Sequence, residues 1–382
     1  MTPDPPGNSA RDTLARGAGL IIVIAGALAF PQVFPNPAIT NYAVFAMIYI
    51  TVASAWNLFS GYSGYISLGH AVFYGSGAYA MGIAAQRWHI GGTGVFALLP
   101  LSGAVGAVIA VPVGLIALRV RRHTFIVVTI AIFFIFQLMA YNFSFTGGSS
   151  GLSSPFLSWP QASYNTPFYY IALAYAAGTI ALSWLIRRSV FGLRLRAIRD
   201  DEDRARGLGV KTMRVKLSAF VLSGAITAMI GAVWFYYINQ VQPNTGFDPL
   251  FDLTVVLMAF FGGYGTIAGP VLGALIIEPG TLWLNAQPRL SGISEVVLGA
   301  VFLVVVLFVP RGIIPVGGEW LGRASARPGR ASDRTTRGPI GRASRSVLAR
   351  GDDPPDPPDP PRGEPESSPV TSPEADPPGG EK

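Results

Sequence analysis

Apolar runs long enough to cross a lipid bilayer dominate this chain of 382 residues. An α-helix needs about 20 mostly apolar residues to cross the hydrocarbon. Runs of roughly this length lie at 17–34, 38–59, 64–86, 94–118, 124–143, 167–186, 216–238, 251–277 and 293–310. Only 13% of the residues are charged, against about 25% in a soluble domain, and lipid as the outer solvent explains the deficit. The predicted fold class is therefore an all-α polytopic membrane protein.

Basic residues between the runs predict the orientation of the chain. Arginines and lysines cluster at 119–122 and at 187–216, whereas the connection 144–166 carries no charge. Because cytoplasmic loops carry the excess of Arg and Lys, we expect both clusters to be cytoplasmic and 144–166 to be external. The N-terminal segment 1–16 is then cytoplasmic. The run after it is interpreted as an uncleaved anchor rather than a signal peptide, since a second span follows directly.

The segment 251–285 complicates the count of spans. Nine crossings would leave the arginine-rich tail outside, contrary to the charge bias. The sequence FFGGYGTIAGP, from Phe260 to Pro270, must interrupt any helix. We therefore predict two shortened passes in this segment, about 9–10 transmembrane helices in all over residues 17–315, and cytoplasmic termini. A broken helix at membrane depth needs protein or a water-filled cavity to satisfy its free backbone groups, so the break is expected to face the bundle interior or a pathway.

The C-terminal segment 316–382 differs in composition. It is rich in Pro, Arg, Asp, Gly and Ser and includes DDPPDPPDPPRGEPE, with few apolar residues. Such a segment cannot bury enough apolar surface to offset its ordering entropy, so we expect a disordered cytoplasmic tail. Its arginines between 323 and 345 form a basic stretch that either touches anionic lipid head groups or is simply solvated.

Residues for hydrolytic, redox or metal chemistry are scarce. There is no cysteine, and His70, His89 and His123 lack metal-ligand spacing. No G-x-x-x-x-G-K-[ST] phosphate loop occurs, so we expect no cofactor and no ATP site in this chain itself. Active transport would then draw on an ion gradient or on a separate subunit. The basic charges lie between spans and in the tail rather than on one folded face, so no nucleic-acid partner is expected.

Acidic residues within the spans bear on the energy source. Glu278 and Glu295 are expected near helix ends, and Asp248 and Asp252 in an outer connection. A proton-driven carrier usually holds carboxylates or histidines within its spans, so this placement weighs against one, although Na⁺ can be bound by carbonyls alone. A convergent acid/base set for a membrane-embedded enzyme is not evident.

A glycine-rich motif, GYSGYISLGHAVFYGSGAY, occupies residues 61–79. Its glycines, such as Gly75 and Gly77, predict an unwound start and a helix that approaches its neighbours closely. His70 lies in an apolar stretch of this motif. Its imidazole could bond a substrate or act in gating, or it could donate to a neighbouring helix in a structural role. Both interpretations stay open.

A second motif, FGLRLRAIRDDEDRARGLGV, connects two spans at 191–210 and is charged throughout. Opposite charges are spaced i,i+4, as on a helix, at Asp200 and Arg204 and at Glu202 and Arg206. The glycines that follow end the helix. A short charged helix between spans could dock into a groove on a soluble partner, or it could be an ordinary solvated loop.

Four motifs in order resemble one family. After the 61–79 motif come FGLRLRAIRDDExxARGLGVK, AFVLSGAITAMIGA and GGYGTIAGPVLGA. Together they are similar to the permease subunits of branched-chain amino acid ABC importers, and SLGHA in the first motif is typical of the LivM-type subunit. The resemblance covers residues 38–315.

The resemblance implies a permease that forms the translocation path with a second, homologous permease subunit. Two ABC ATPase subunits would bind ATP and Mg²⁺, and an extracytoplasmic substrate-binding protein would deliver the amino acid to the plasma membrane. Hydrolysis would then belong to partners, and this chain would not be an enzyme. Related permeases import urea and short amides. A self-contained secondary carrier, which needs no ATPase, is the alternative from another class.

The resemblance also implies roles for individual residues. The cytoplasmic loop 188–215 would couple the permease to the ATPase, and its pattern positions are Gly192, Arg196, Arg199, Glu202, Leu208 and Gly209. The translocation-path and broken-helix motifs would contain Ser67, Gly69, His70, Gly75, Gly77, Gly262, Gly263, Gly265, Gly269, Pro270 and Gly273. Asp203, Arg204 and Gly207 depart from the usual pattern, which leaves the individual ATPase contacts open.

Overall fold

Helices account for nearly all of the residues that the computed structural model describes, which are 19, 22–154, 159–160, 164–288, 293–308 and 312–313. The predicted N-terminal segment 1–16 and the predicted tail 316–382, with its basic stretch, lie outside the described residues.

The helices follow one another through short connections. In chain order they are α1 (Ile22–Val33), α2 (Pro37–Trp56), α3 (His70–Arg87), α4 (Leu99–Ala117), α5 (Arg122–Asn142), α6 (Asn165–Arg188), α7 (Val190–Asp200), α8 (Glu202–Gly207), α9 (Thr212–Ile238), α10 (Pro243–Gly246), α11 (Pro249–Gly262), α12 (Ala268–Ala286) and α13 (Ser294–Phe308). Three 3₁₀ turns lie at Gly92–Leu98, Ser144–Thr146 and Gly148–Ser150, and the strands β1 (Leu152–Ser153) and β2 (Gln240–Val241) pair antiparallel. Within the described ranges, 6 helices are long and apolar enough on their own to cross a membrane. The all-α polytopic class is confirmed.

The start of α2 illustrates how the sequence sets a helix boundary. Asn36 has an extended backbone, and its side chain accepts a hydrogen bond from the Ala38 amide at 2.9 Å. Pro37 occupies the first turn, where a missing N–H costs nothing. Capping therefore fixes where the helix begins, while burial in the bundle stabilises it.

Helices α2, α3 and α9 form the centre of the bundle. Of the apolar window in the span that contains α2, 78% is buried within the chain, against 22% for α5. Small residues let the α3 and α9 backbones touch: a Cβ at Gly77 would meet the Ala228 carbonyl, and a Cβ at Gly231 would meet the Tyr74 carbonyl. From Tyr74 to Gly77 the residue numbers rise in α3, whereas their partners fall from Gly231 to Ala228 in α9. These two helices are therefore antiparallel. The predicted close approach of the first glycine motif is confirmed at Gly77.

Helix α2 does not run straight into α3. It widens into a π-turn over Asn57–Gly61, and residues 64–69 have no regular structure. Gly64 adopts a φ of 77°, which other residues rarely take. The predicted unwound start is confirmed. The prediction of a span over 64–86 is wrong at its start, because α3 begins only at His70.

A second interruption separates α11 from α12. Residues 263–267 are not helical, and Gly263 and Gly265 have φ values of 134° and 77°. Pro270 falls in the first turn of α12, where a proline is tolerated. The predicted break between Phe260 and Pro270 is confirmed.

Beyond this break the chain turns back on itself. A Cβ at Gly262 would meet the Gly269 carbonyl, and a Cβ at Gly273 would meet the Met258 carbonyl. Gly262 and Gly269 lie next to the break, whereas Met258 and Gly273 lie further from it, one in each helix. Helices α11 and α12 are therefore antiparallel. The predicted division into two helices is confirmed, but only α11, with 14 residues, is short, since α12 has 19.

Contacts between helix termini define two ends of the bundle. At one end, Asn165 at the start of α6 donates to the Pro37 carbonyl at 2.9 Å, and Asn41 near the start of α2 donates to the Tyr237 hydroxyl in the last turn of α9 at 2.6 Å. The opposite end carries α7 and α8, which connect the end of α6 to the start of α9. Among the described residues six helices meet the length and composition of a membrane span, so the count of ten passes stays a prediction. Which end faces the cytoplasm stays a prediction.

Candidate functional site

The two helix interruptions meet at the end of the bundle that carries α7 and α8. Asn57, in the π-turn, donates from Nδ2 to the Thr266 carbonyl at 2.7 Å and accepts at Oδ1 from the Gly265 amide at 2.8 Å. Its side chain therefore replaces helical partners for two backbone groups inside the α11–α12 break. Free backbone groups at membrane depth are costly, so this pairing lets the break exist there. We call residues 57–69 and 263–267 together the junction.

Aromatic side chains tie the rest of the junction together. The Tyr264 hydroxyl donates to the Ser60 carbonyl at 2.6 Å. The Trp56 indole N–H donates to the Ser67 carbonyl at 2.8 Å, and its ring lies 6.1 Å from that of Tyr264. A Cβ at Gly61 would meet the Asn57 side chain, so the close packing of the two interruptions needs glycine there.

The second motif folds as two short helices rather than one. The backbone of Asp201 is extended and separates α7 from α8, and its side chain caps α8 by accepting from the Arg204 amide at 3.0 Å. The predicted pair of Glu202 and Arg206 forms at 3.5 Å. The predicted pair of Asp200 and Arg204 is wrong, because the break at Asp201 takes these residues out of i,i+4 register. Arg204 pairs with Asp201 instead, at 3.0 Å.

Helix α7 has a buried face and an exposed face. Leu195 and Ile198 are fully buried, and Gly192 packs so closely on the Ile186 carbonyl that a Cβ has no space. Gly192 is thus a packing residue beneath the helix. The predicted end of α8 is confirmed at Gly207, with Gly209 in a left-handed conformation at φ 84°.

The outer side of α7 and α8 combines guanidinium groups with exposed leucines. The Leu193 and Leu208 side chains are 56% and 86% exposed. The exposed basic side chains around them are Arg194, Arg196, Arg204 and Arg206. These leucines lie outside the apolar spans, and no described residue covers them. We call this set the outer face.

Two charged residues of the same motif, Arg199 and Glu202, point into the bundle. Arg199 donates to the Gly61 carbonyl at 2.7 Å, and its guanidinium lies 4.6 Å from the centre of the Tyr264 ring. Arg122, at the start of α5, donates to the Ile198 and Arg199 carbonyls at 2.8 Å and 2.6 Å and so caps the end of α7.

Glu202 is the other inward residue. Its carboxylate accepts from Lys216 Nζ at 2.7 Å and from the Tyr65 hydroxyl at 2.5 Å. Burial alone would raise the pKa of Glu202, but the hydrogen bonds from Lys216 and Tyr65 and the charge on Lys216 outweigh it and hold that pKa below its ordinary value of 4.5. The carboxylate is therefore ionised at neutral pH, and Lys216, 3% exposed, neutralises it.

The His70 side chain lies fully buried at the start of α3. Its Nε2 is 2.7 Å from Ser223 Oγ and its Nδ1 is 3.1 Å from Ser67 Oγ. Because Ser223 donates its only hydroxyl proton to the Ala55 carbonyl at 2.6 Å, Nε2 must be the donor, and Nδ1 accepts from Ser67. Both ring nitrogens are occupied by protein groups, which favours the structural interpretation of His70.

Two acidic residues are placed differently from the prediction. Asp252 is buried in the first turn of α11, not in an outer connection, and accepts from the Ala71 amide at 3.1 Å. It thereby caps α3 from another helix, because α3 begins inside the bundle with free N–H groups. Glu278 is buried in the middle of α12 rather than near its end.

Several residues of the junction were missed from the sequence. Asn57, Tyr65, Tyr264 and Lys216 carry most of its polar contacts. A lone lysine inside the apolar span that begins near 216 was the one available signal, since buried lysine needs a partner. The other predicted positions divide into four groups: the first interruption (Ser67, Gly69), α3 (His70, Gly75, Gly77), the second interruption (Gly263, Gly265) and the helices that flank it (Gly262 in α11; Gly269, Pro270 and Gly273 in α12).

Taken together, the helical bundle, its interrupted segments and its charged connection define a multi-spanning integral membrane protein. A family model described as "Branched-chain amino acid transport system / permease component" matches residues 38–306. The chain belongs to this family of membrane permeases. 

Curated relatives agree with that assignment. The chain is similar to the high-affinity branched-chain amino acid transport system permease protein LivM of Salmonella typhimurium, at 26% identity over 78% of this chain and 74% of the relative. It is also similar to LivH of the same organism, at 25% identity over 72% of this chain and 93% of the relative. The ribose import permease protein RbsC of Bacillus subtilis is 32% identical over 36% of this chain and 46% of its own length. No solved structure gives a significant match.

Proposed function

We propose that this chain is one permease subunit of an ATP-driven importer of branched-chain amino acids in the plasma membrane. It forms the translocation path with a second, homologous permease subunit and accepts substrate from an extracytoplasmic binding protein. Two ABC ATPase subunits bind ATP with Mg²⁺ and supply the energy. The similarity to LivM and LivH, permease proteins of high-affinity branched-chain amino acid transport systems, supports this proposal.

The observation that carries the coupling role is the outer face. Exposed leucines on short helices outside the spans support a protein contact. Arg194 follows Leu193 and suits an acidic or carbonyl group on a partner, while Arg204 and Arg206 also pair with acidic residues of the same segment. We assign this face to the ATPase, with Arg196 and Leu208 among the predicted positions that lie on it. Gly209 serves by ending the segment.

The charge bias supports the orientation. The arginine-rich end with α7 and α8 lies in the cytoplasm, and the opposite end, with β1 and β2, lies outside. In this orientation both termini belong to the cytoplasmic side. The two interruptions lie beside the translocation path, where changes in their backbone conformation can open it alternately to either side.

The test is to co-express the chain with its genomic neighbours and to purify through a tag on this chain. Recovery of a second permease and of ATPase subunits, with ATP hydrolysis and ATP-dependent amino acid uptake in liposomes, is the expected result. A chain that purifies alone and carries amino acids without ATP would refute the proposal and leave a self-contained carrier.

Matched variants test the outer face. A Leu side chain gains about 1.5–3 kcal/mol on burial, so Leu193→Ala with Leu208→Ala should weaken ATPase binding at least about tenfold. Leu138→Ala, an equally apolar change at a 60% exposed position on α5, is the control and should leave ATPase recovery unchanged. Equal recovery in both preparations would place the ATPase contact elsewhere.

A further inference from the structure

Arg199 joins α7 to both helix interruptions at once. Its guanidinium donates to the Gly61 carbonyl, at the end of the first interruption. The same group lies over the Tyr264 ring and fills the space where a Cβ at Gly265 would be, in the second interruption. A planar guanidinium that bonds and stacks loses little freedom per contact, so it holds these parts in one arrangement.

Glu202 attaches α8 in a similar way. Lys216 of α9 lies between the carboxylate and the Tyr65 side chain: its Nζ is 2.7 Å from Glu202 Oε1, 3.0 Å from the Tyr65 hydroxyl and 4.1 Å from the centre of the Tyr65 ring. The Glu202 side chain is only 17% exposed. Breaking such a pair leaves an uncompensated charge, so α8 cannot easily separate from α9 and from the 64–69 segment.

Neither charge is available on the outer face, although the resemblance placed both residues in the ATPase-coupling pattern. We propose that Arg199 and Glu202 are positioning residues that transmit the movement of α7 and α8 to the junction, while the outer face binds the ATPase. The inference rests on the proposed function and assigns these two residues within it. Segments 64–69 and 263–267 lack a continuous i→i+4 ladder, so displacement of their attached ends costs less than bending an intact helix.

The movement that the ATPase imposes therefore has two routes into the membrane. Arg199 carries it to the ends of α2 and α11 through Gly61 and Tyr264. Glu202 carries it to α9 through Lys216. Each route reaches a helix of the bundle centre, α2 or α9, so a rigid displacement of α7 and α8 must move these helices or break the contacts.

The experiment uses the complete complex in liposomes and measures three quantities: recovery of the ATPase subunits, ATP hydrolysis, and amino acid transported per ATP hydrolysed. Arg199→Ala should retain the ATPase subunits and hydrolyse ATP but transport at least about fivefold less per ATP, the low end of typical coupling between sites. Arg199→Lys keeps a donor and a cation over the ring, and should recover much of the ratio. Glu202→Gln should lower the ratio in the same direction.

Arg119→Ala is the matched control, because Arg119 is an exposed basic residue between α4 and α5, at the same end of the bundle but outside the loop 188–215. It should leave all three quantities unchanged. Loss of ATPase recovery in Arg199→Ala would mean that Arg199 contacts the ATPase, and it would overturn the inference. Hydrolysis and transport that fall together with an unchanged ratio in both Arg199 variants would also overturn it, since a purely structural role predicts that result.

A wild-type chain that recruits no ATPase would refute the proposed function, and this inference with it. A wild-type complex that is active, with an Arg199→Ala complex of normal ratio, would refute this inference alone. The two failures are therefore distinguishable in one set of preparations.

Discussion

Replacing glycine by alanine should have opposite effects on stability at Gly77, where α3 contacts α9, and at Gly178 of α6, where the added carbon has open space. Gly77 lies where a Cβ would overlap the Ala228 carbonyl, Cα and backbone carbon, whereas a Cβ at Gly178 of α6 meets nothing within 4 Å. Both glycines lie inside α-helices. The intrinsic gain from Gly to Ala in a helix, about 0.8–1.0 kcal/mol, therefore applies to both.

The difference between the two sites comes from packing. At Gly77 the neighbour is backbone in the centre of the bundle, and no flexible side chain can move away. The helices must separate, and inserting a carbon into a well-packed core costs typically about 1–3 kcal/mol, or more where the contact is this close. The close contact selects the upper end of this range, so Gly77→Ala should destabilise the protein by about 2 kcal/mol after the helix gain of about 1 kcal/mol is subtracted. Gly178→Ala should be neutral or stabilise it by up to about 1 kcal/mol.

The assay is thermal unfolding of the purified protein in detergent, followed by tryptophan fluorescence at one scan rate because membrane proteins of this size unfold irreversibly. Gly77→Ala should lower the midpoint, and Gly178→Ala should not. The additional change Ala228→Gly should fail to rescue Gly77→Ala, since the overlap is with the Ala228 backbone. Equal midpoint shifts for both glycine variants, or full rescue by Ala228→Gly, would refute the packing argument.

Other predictions concern side chains of the junction and of α3. The pKa of Glu202 in the folded protein is below its ordinary value of 4.5. The stabilisation from its ion pair is therefore complete above pH 4.5 and is lost as the pH falls through the lower folded pKa, which lowers the unfolding midpoint at acid pH. Glu202→Gln should flatten this acid limb, the fall of the midpoint at low pH. An unchanged acid limb would contradict the ion-pair assignment. His70→Ala should lower the thermal midpoint together with transport, at a cost of about 2–4 kcal/mol. The change removes the acceptor of Ser67 and the donor to Ser223, and it leaves a cavity. Loss of transport with a normal midpoint would instead support a substrate or gating role. Asn57→Leu strands the Gly265 amide and the Thr266 carbonyl, at about 1–3 kcal/mol for each unpaired group, whereas Asn57→Asp keeps the acceptor and should cost less. Equal midpoints for the two Asn57 variants would show that the amide does not bridge the interruptions.

Periodic and compositional features of the sequence predicted the helices well. Burial in lipid requires long apolar segments, so the spans could be located, and glycine with proline necessarily interrupts a helix, so both breaks could be located too. The errors concerned charge and register. Glu278 was expected near a helix end and Asp252 in an outer connection. Inside the bundle, protein rather than lipid surrounds both carboxyls, and an amide of α3 meets the Asp252 oxygen.

The pairing of residues across the bundle was beyond the sequence. Nothing in the pattern around Arg199 distinguishes a side chain that points to a partner from one that points to Gly61, since a charged helix shows the same residues in both cases. The i,i+4 spacing of Asp200 and Arg204 also predicted a pair that the break at Asp201 prevents.

The sequence by itself determined that this chain spans the membrane many times, where its helices break and to which permease family it belongs. Those properties follow from local chemistry: hydrophobic length, backbone freedom at glycine and motifs in a fixed order. Only the tertiary structure decided that the two breaks meet, that Asn57 and Arg199 hold them together and that Lys216 neutralises Glu202. These contacts join residues 14 to 209 positions apart, and such partners are set by how whole helices pack, which no local pattern specifies.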